Sequence, residues 1–269
     1  MGALAKAISK PVASYRVDIP FKGLSRAVSP LRGNLIVAIG SPGIGKSAFS
    51  LNWALRSEQS CCLISLDTDL HTQGIRAAGI LSGTDLSVIS KAPEAWSDYL
   101  DKNARMVRAY DFSVDAQEIA EIVEADGEFW GETPALTIVD NVSNLVSDGD
   151  YQEYRRLFVD LHRVARKTNT CVLALHHVTR KAKPGEPLQL NSGQFAGEQE
   201  AELVLGLWTG LTEDQKGRLN ISVLKNRQGQ ADASGQMYVP LVFDQSTMTI
   251  RDETATDQAR AVLLGGSNV

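Results

Sequence analysis

The sequence GSPGIGKS, residues 40–47, lies between the apolar run LIVAI at residues 35–39 and the segment AFSLNWAL at residues 48–55. The apolar run predicts a buried strand, and the spacing of apolar residues in the following segment predicts a helix. A glycine-rich loop in this position is typical of phosphate-binding loops, because its backbone N–H groups and the positive end of the helix dipole face phosphate oxygens. The alternative is a glycine-rich turn in an ordinary α/β protein, which would not require this eight-residue pattern.

The phosphate-binding loop predicts which residues contact a bound nucleotide. Lys46 is expected to reach the terminal phosphates, and the hydroxyl of Ser47 is expected to bind Mg²⁺. The predicted nucleotide-binding residues are Gly40, Ser41, Pro42, Gly43, Ile44, Gly45, Lys46, Ser47 and Ala48.

Two further apolar runs are followed by aspartate. CCLISL at residues 61–66 precedes Asp67 and Asp69, and ALTIV at residues 135–139 precedes Asp140. Acidic residues at the carboxyl ends of parallel strands lie where α/β folds carry out chemistry. We therefore expect Asp140 to hold Mg²⁺, usually through water. Its alternative role is that of a capping residue at a strand end.

A fourth apolar run, CVLAL at residues 171–175, is followed by His176 and His177. A histidine at this position is either a buried structural side chain or a hydrogen-bond donor to the γ-phosphate of a nucleotide. Its place beside the other strand ends favours the second role. His176, His177 and Asp140 could also hold an extra metal ion and support a nuclease side activity, although no nuclease motif is recognisable.

Composition and patterning predict one α/β domain with a large core. The chain has 269 residues, of which 43% are hydrophobic, and a net charge of −5. Alternating strand and helix signals followed by hairpin signals predict a mostly parallel twisted sheet flanked by helices, with a C-terminal antiparallel hairpin. We expect an N-terminal arm or linker at residues 1–18, one domain at residues 19–251 and a flexible tail at residues 252–269.

The sequence gives no sign of a membrane or secreted protein. Its apolar runs are far shorter than the ~20 residues that a membrane span needs, and its N-terminus lacks the apolar stretch of a secretion signal. The cysteines, Cys61, Cys62 and Cys171, lie in apolar runs without metal-ligand spacing. These features predict a cytoplasmic protein with no membrane partner.

The order and spacing of the motifs resemble the RecA-like motor domain of the hexameric replicative helicases, of the bacterial DnaB type and the phage primase-helicase type. The resemblance covers residues 21–251 and runs through LRGNLIVAIGSPGIGKSAFSLNWA, CLISLDTDL, LTIVDNVSNL, VLALHHVTRK, SGQFAGEQEAELVLGL and ISVLKNRQGQ. It implies a RecA-like P-loop NTPase core that binds ATP and Mg²⁺, and a homo-oligomer, expected to be a hexameric ring, that acts on single-stranded DNA. Those helicases carry a further domain ahead of the motor. Here the motor is preceded only by the expected arm at residues 1–18, so we expect a motor core without that domain.

The resemblance also implies roles for single residues. Lys46 and Asp140 keep their roles toward the phosphates and Mg²⁺. Asp67 takes the position of the family's catalytic glutamate, and His177 takes that of the γ-phosphate sensor. Because aspartate is shorter than glutamate by one methylene, the water that Asp67 polarises must lie closer, or Asp69 must assist.

Two groups of polar residues have implied contacts outside their own ATP site. Lys225 and Arg227 take the position from which the family sends cations into the ATP site of a neighbouring subunit; the alternative is an ordinary polar hairpin. The loops after Asp140 and His177 line the central channel in the family. The resulting candidates for DNA contacts are Asn144, Arg180, Lys181 and Lys183.

The basic helix predicted at residues 152–167 is interpreted as a solvated face in preference to a DNA-binding surface. The favoured function is a ring-forming, ATP-hydrolysing DNA translocase or helicase-like motor in replication or recombination. The alternative is a stand-alone RecA-like recombination or single-strand-binding ATPase that does not unwind DNA. A third candidate is a regulatory assembly ATPase on the same core, which predicts hydrolysis that DNA does not stimulate.

Overall fold

The apolar runs of the sequence form the strands of one mixed sheet. The computed structural model describes residues 15–146, 150–178, 183–193, 197–212, 215 and 217–259. The strands are β1 (Leu35–Gly40), β2 (Cys61–Ser65), β3 (Val107–Tyr110), β4 (Leu136–Asp140), β5 (Cys171–His177), β6 (Leu203–Trp208), β7 (Arg218–Asn226), β8 (Tyr238–Asp244) and β9 (Thr249–Asp252).

Helices connect the strands and cover both faces of the sheet. They are α1 (Lys22–Ala27), α2 (Lys46–Arg56), α3 (Leu70–Ser82), α4 (Leu86–Ile89), α5 (Ser97–Asn103), α6 (Ala116–Trp130), α7 (Tyr151–Thr168) and α8 (Gly197–Glu200). Short 3-10 turns span Pro93–Trp96, Val142–Leu145 and Leu190–Ser192. None of the described helices is both long and apolar enough to cross a membrane.

The strand order in the described residues is β3-β2-β4-β5-β1-β6-β7-β8-β9. The first six strands of this order pair in parallel, and β7, β8 and β9 each pair antiparallel with the strand before them. The predicted fold class, a mostly parallel sheet with a C-terminal antiparallel hairpin, is confirmed. The order places β1 between β5 and β6, so the loop after β1 leaves the centre of the sheet.

The core consists of two apolar layers, one on each face of the sheet. Phe49 and Trp53 of α2 are buried in one layer, and Phe158 and Leu161 of α7 are buried in the other. The central strands are apolar on both faces because helices cover both. This burial accounts for their near-continuous apolar sequence.

Parts of the predicted N-terminal arm and C-terminal tail lie outside the described residues. Residues 1–14 of the expected arm and residues 260–269 of the expected tail lie outside the described residues. Within the described part of the arm, Val17 is buried and its N–H donates to the carbonyl of Pro30 at 2.9 Å. The indole of Trp53 donates to the carbonyl of Asp18 at 2.7 Å. Residues 17 and 18 therefore pack on the domain.

The segment 85–99 contains several short elements. Helix α4 ends at Ile89, a 3-10 turn begins at Pro93, and α5 follows from Ser97. Proline lacks a backbone N–H and cannot continue a preceding helix, but it is tolerated in a first turn. The position of Pro93 is therefore consistent with the break.

The hairpin formed by β8 and β9 is fastened to the helices beside the phosphate-binding loop. The side chain of Asn52 in α2 donates to the carbonyl of Met248 at 2.8 Å and accepts from the N–H of Ile250 at 3.0 Å. The N–H of Leu86 donates to the carbonyl of Ser246 at 2.8 Å. These contacts hold the hairpin turn against the carboxyl edge of the parallel strands.

Candidate nucleotide-binding site

A cavity of about 480 Å³ lies at the carboxyl ends of β1, β2, β4 and β5. The phosphate-binding loop forms one side of it, and residues of the β8–β9 hairpin form the other. The lining residues from the loop and the start of α2 are Pro42, Gly43, Gly45, Lys46, Ser47 and Ala48. The volume lies in the range typical of small-molecule sites.

Two glycines of the loop have steric reasons for lacking a side chain. Gly45 has a φ of 106°, and a Cβ there would lie 2.9 Å from the ring of Phe243. A Cβ on Gly40 would lie 2.8 Å from the side chain of Ile44 and 3.2 Å from the carbonyl of Leu207. The loop is therefore tightly turned and close to its neighbours, as phosphate cradling by backbone N–H groups requires.

Lys46 is folded back onto the loop from the first turn of α2. Its Nζ donates to the carbonyls of Gly40 at 2.9 Å and Ser41 at 3.0 Å, and lies 3.3 Å from Nδ1 of His177. Burial lowers the pKa of Lys46 to about 8, although the charges of Asp140 and Asp67 act in the opposite direction. A bound polyphosphate would supply an anionic partner and favour the charged ammonium.

Asp140 is the last residue of β4 and is 2% exposed. Burial raises its pKa, while a hydrogen bond from Ser47 lowers it. Among the described residues, no donor reaches its buried Oδ2. A buried carboxylate oxygen without a partner, next to a serine hydroxyl, fits Mg²⁺, which prefers hard oxygen ligands and keeps several waters. Ser47 and Asp140 are the residues that would hold it.

The structure separates the two aspartates that follow β2. Asp67 lines the cavity, and its negative charge raises the pKa values of Lys46 and Asp140. Asp69 caps α3 instead: its Oδ1 accepts from the N–H of Thr72 and its Oδ2 from the hydroxyl of Thr72, both at 2.8 Å. Those hydrogen bonds lower the pKa of Asp69. Of the two, only Asp67 lines the cavity.

The two histidines at the end of β5 point to opposite sides of the sheet, as side chains of successive strand residues do. His177 lines the cavity, and its pKa is lowered by burial and then by the charge of Lys46. His176 is buried between the rings of Tyr154 and Phe158, whose centroids lie 5.0 and 5.4 Å away. In the described part of the chain, no three His, Cys, Asp or Glu residues are grouped to hold a metal.

Lys225 and Arg227 lie at one end of the strands, and their own phosphate-binding loop lies at the other end. The backbone N–H of Arg227 donates to the carbonyl of Glu202, whose carboxylate accepts from the N–H of Leu35 at 2.9 Å. Leu35 and Gly40 are the two ends of β1, so this edge is about 17 Å from the loop. The guanidinium of Arg227 is 48% exposed and lies 3.4 Å from Glu202. Neither cation is placed to act in its own cavity.

The predicted DNA-contacting residues have different surroundings. The amide of Asn144, in the turn after β4, donates to the carbonyl of Leu66 at 2.9 Å. Lys183 is exposed and lies 3.5 Å from Glu186. Arg180 and Lys181 lie outside the described residues.

The basic face of α7 is largely paired within the chain. Arg163 bonds to Asp160, and Lys167 lies 3.0 Å from Glu124. Arg166 donates to His162 at 3.1 Å. These pairs agree with the interpretation of this face as a solvated surface.

Several residues of the cavity were not found from the sequence. Arg76 reaches it from α3, and its positive charge lowers the pKa of Asp140. Phe243, Gln245 and Met248 reach it from the β8–β9 hairpin. No local motif marks Arg76, and the hairpin residues follow the loop by about 200 positions, so only the topology of the sheet brings them together.

The sheet order, the phosphate-binding loop and this cavity define a RecA-like P-loop NTPase fold. The ATPase domain of G40P has the same fold, with a TM-score of 0.70 and 17% identity over 83% of this chain and 86% of that chain. A second structure, of a DnaB-like replicative helicase and its interactions with primase, also has this fold. Its TM-score is 0.73, and the identity is 17% over 93% of this chain and 67% of that chain. These likenesses confirm the resemblance at the level of the fold.

Sequence comparison identifies a narrower group. The chain is 36% identical over 236 residues to the Gene 65 protein of Mycobacterium phage L5, covering 82% of this chain and 87% of that protein. It is 34% identical over 232 residues to the Gene 65 protein of Mycobacterium phage D29, covering 81% of this chain and 99% of that protein. The chain therefore belongs to the family of mycobacteriophage Gene 65 proteins. No protein-family model matches it.

Proposed function

We propose that this protein is an ATP-hydrolysing motor of the DnaB-like helicase type that assembles into a ring and acts on single-stranded DNA. The likeness of its fold to the ATPase domains of G40P and a DnaB-like helicase supports the motor class. The observation that carries the proposal is the position of Arg227, which is exposed at the end of the strands that lies away from its own cavity. A cation in that position can complete the ATP site of a neighbouring copy.

Within one subunit, five residues that line the cavity take part in ATP hydrolysis. Lys46 binds the terminal phosphates, and Ser47 and Asp140 hold Mg²⁺. Asp67 polarises the attacking water, and His177, kept neutral by its lowered pKa, contacts the γ-phosphate. Bound Mg²⁺ supplies charge neutralisation for the phosphates.

Arg227 supplies what a single subunit lacks in this scheme. An arginine placed on the developing charge of phosphoryl transfer contributes about 10³–10⁵ in rate. Lys225, two residues earlier and within β7, would assist from the same end of the strand. Head-to-tail contacts between copies generate closed rings, in which every site receives an arginine from its neighbour.

The proposed DNA contacts lie on the loops that follow β4 and β5. Asn144, Arg180, Lys181 and Lys183 remain the candidates, and a ring repeats them in every subunit. Clustered cations from several subunits would hold a phosphate backbone although each chain carries a net charge of −5. Such binding should weaken as the salt concentration rises.

The test is an ATPase assay with and without single-stranded DNA, paired with a strand-displacement assay on a forked duplex. The motor proposal predicts hydrolysis that DNA stimulates and displacement that requires ATP, both lost in Lys46→Ala. DNA-stimulated hydrolysis with annealing and no displacement would replace the motor by a recombination or single-strand-binding ATPase. Hydrolysis that is indifferent to DNA would contradict both DNA functions and favour a regulatory assembly ATPase.

A further inference from the structure

A short turn after β4 contacts two different sides of the cavity. Asn141 begins it: its Oδ1 accepts from the N–H of Ser143 at 2.9 Å, and its Nδ2 lies 3.4 Å from Nε2 of His177. Asn144, three residues later, donates its N–H to the carbonyl of Asn141 at 3.2 Å and its side-chain amide to the carbonyl of Leu66 at 2.9 Å. The turn thus contacts the end of β5 through one asparagine and the end of β2 through the other.

Leu66 is the residue immediately before Asp67, and both of its peptide groups are held. Its N–H donates to the carbonyl of Asp140 at 2.6 Å, and its carbonyl accepts from Asn144. On the other side of Asp67, the hydroxyl of Ser65 donates to the carbonyl of Thr68 at 2.5 Å. Asp67 itself projects into the cavity from a backbone segment that is fastened before and after it.

We infer that Asn144 is a positioning residue that sets the place of Asp67 against the γ-phosphate, and that Asn141 fixes His177 to the same turn. This inference rests on the proposed function, in which Asp67 polarises water and His177 contacts the γ-phosphate. One turn then links the group that polarises the attacking water to the group that contacts the γ-phosphate. Because a misplacement near 1 Å costs ~100-fold in rate, the link matters most for chemistry and least for nucleotide binding.

The experiment replaces the donor of Asn144 without changing its size. In Asn144→Asp, a carboxylate faces the carbonyl of Leu66, so the bond is lost and the two acceptors repel. Asn103→Asp on α5 is the matched control, because the amide of Asn103 is also exposed and also donates to a backbone carbonyl, that of Tyr99, at 2.7 Å. Each variant is assayed in the absence of DNA for kcat, for affinity toward a fluorescent ADP analogue, and for amide hydrogen exchange, so that a lost DNA contact at residue 144 does not affect the comparison.

We expect kcat of Asn144→Asp to fall about 10–100-fold. We also expect its affinity for the ADP analogue to stay within about twofold of wild type, and exchange to accelerate in peptides that cover residues 63–70. Asn103→Asp should match wild type in all three measurements. Unchanged exchange in residues 63–70, or an unchanged kcat, would overturn the positioning role. So would a kcat and an affinity that fall together with the thermal midpoint, because that pattern belongs to a general loss of structure.

Failure of the inference and failure of the proposed function give different results. If the wild-type protein binds the ADP analogue but hydrolyses no ATP under any condition, the proposed motor fails. The exchange comparison still tests the link between Asn144 and Leu66 in that case. If the wild type hydrolyses ATP and Asn144→Asp does so equally well, the motor stands and the positioning role is wrong.

Discussion

At the scale of single residues, the cavity buries two charges of opposite sign without giving either a close ion-pair partner among the described residues. Burial shifts the pKa of Lys46 down to about 8 and the pKa of Asp140 upward, so each is shifted toward its neutral form. Functional sites commonly hold such unfavourable charges for the sake of a ligand. ATP and Mg²⁺ would supply the missing counter-charges.

The lowered pKa of Lys46 predicts a pH dependence of nucleotide binding. If the charged ammonium binds the phosphates, affinity for an ADP analogue should fall as the pH rises above 8, by up to about tenfold per pH unit. Lys46→Arg should bind more weakly at pH 7 but show a flat profile from pH 7 to 9.5, because arginine stays protonated. Fluorescence titrations at fixed ionic strength measure both curves. Parallel slopes in the two proteins would assign the pH dependence to another group.

The raised pKa of Asp140 predicts that its charge destabilises the nucleotide-free protein. A raised folded-state pKa favours folding at low pH, and this contribution is lost as the pH rises through that pKa. At pH 7, Asp140→Asn should therefore have a higher thermal unfolding midpoint than wild type, while ATP hydrolysis falls at least about 100-fold because the carboxylate that would hold Mg²⁺ is lost. Thermal denaturation without nucleotide and an ATPase assay measure the two effects.

Asp69→Asn is the control for this prediction, because the carboxylate of Asp69 is exposed and its pKa is lowered by hydrogen bonds to Thr72. A lowered folded-state pKa means that the charge of Asp69 stabilises the folded protein at pH 7, the opposite of the effect expected for Asp140. Asp69→Asn should therefore be no more stable than wild type. A midpoint of Asp140→Asn at or below that of wild type would mean that the charge of Asp140 is already compensated in the free protein.

Sequence reasoning found the residues of the cavity that belong to contiguous motifs. Lys46 and Ser47 belong to the glycine-rich motif after β1, and Asp67, Asp140 and His177 lie at or just after the ends of β2, β4 and β5. The carboxyl ends of these parallel strands meet on one side of the sheet. Arg76 was missed because it lies within a helix, where one arginine has no distinguishing pattern. The structure also places Asp67 in the cavity lining and Asp69 at the start of α3, a difference that the sequence alone left open.

At the scale of elements, the strands were predicted well because buried parallel strands are short, continuous apolar runs. Their ends were less well predicted, since pairing partners extend them. The apolar run that predicts β5 ends at residue 175, but the strand continues to His177 because that residue pairs with Gly40. Polar residues at strand ends therefore belong to the sheet when a neighbouring strand is long enough to pair with them.

The packing of α3 against the hairpin turn gives a prediction with an internal control. A Cβ on Gly79 would lie 2.5 Å from the side chain of Leu86 and 2.8 Å from the carbonyl of Thr247, whereas a Cβ on Gly74 would meet only Leu100, at 3.8 Å. Both glycines lie in the interior of α3, where alanine is favoured by about 0.5–1 kcal/mol.

Gly79→Ala should accordingly destabilise the protein by about 1–3 kcal/mol despite its better helix propensity. Gly74→Ala should be neutral or stabilising. Urea denaturation of the two variants measures the difference. Because the turn that Gly79 contacts carries Gln245 and Met248 into the cavity, only Gly79→Ala should also weaken binding of an ADP analogue. Equal stability of the two variants would show that the hairpin is not held as described.

At the scale of the whole molecule, the strand order is what the sequence could not supply. Apolar runs predict that strands exist but not which of them are neighbours, and the central place of β1 follows from contacts far apart in the chain. The same order puts the carboxyl end of β7 at the edge opposite the phosphate-binding loop. A resemblance of motifs implied that Lys225 and Arg227 act on a neighbour, and the topology supplies a physical reason, because they cannot reach their own cavity.

A mixing experiment tests most directly whether Arg227 completes the site of a neighbouring subunit. Lys46→Ala retains Arg227 but has a defective cavity, and Arg227→Ala retains the cavity but lacks the arginine. If the copies form head-to-tail rings, two nearly inactive variants mixed in equal amounts should regain roughly a quarter of the wild-type ATPase rate per subunit, because about half of the intact cavities then face an intact arginine. Arg76→Ala mixed with Lys46→Ala should regain nothing, because both residues lie in the same cavity. Without any gain for the Arg227→Ala mixture, the arginine does not act between subunits, and the account of this protein as a ring motor is contradicted.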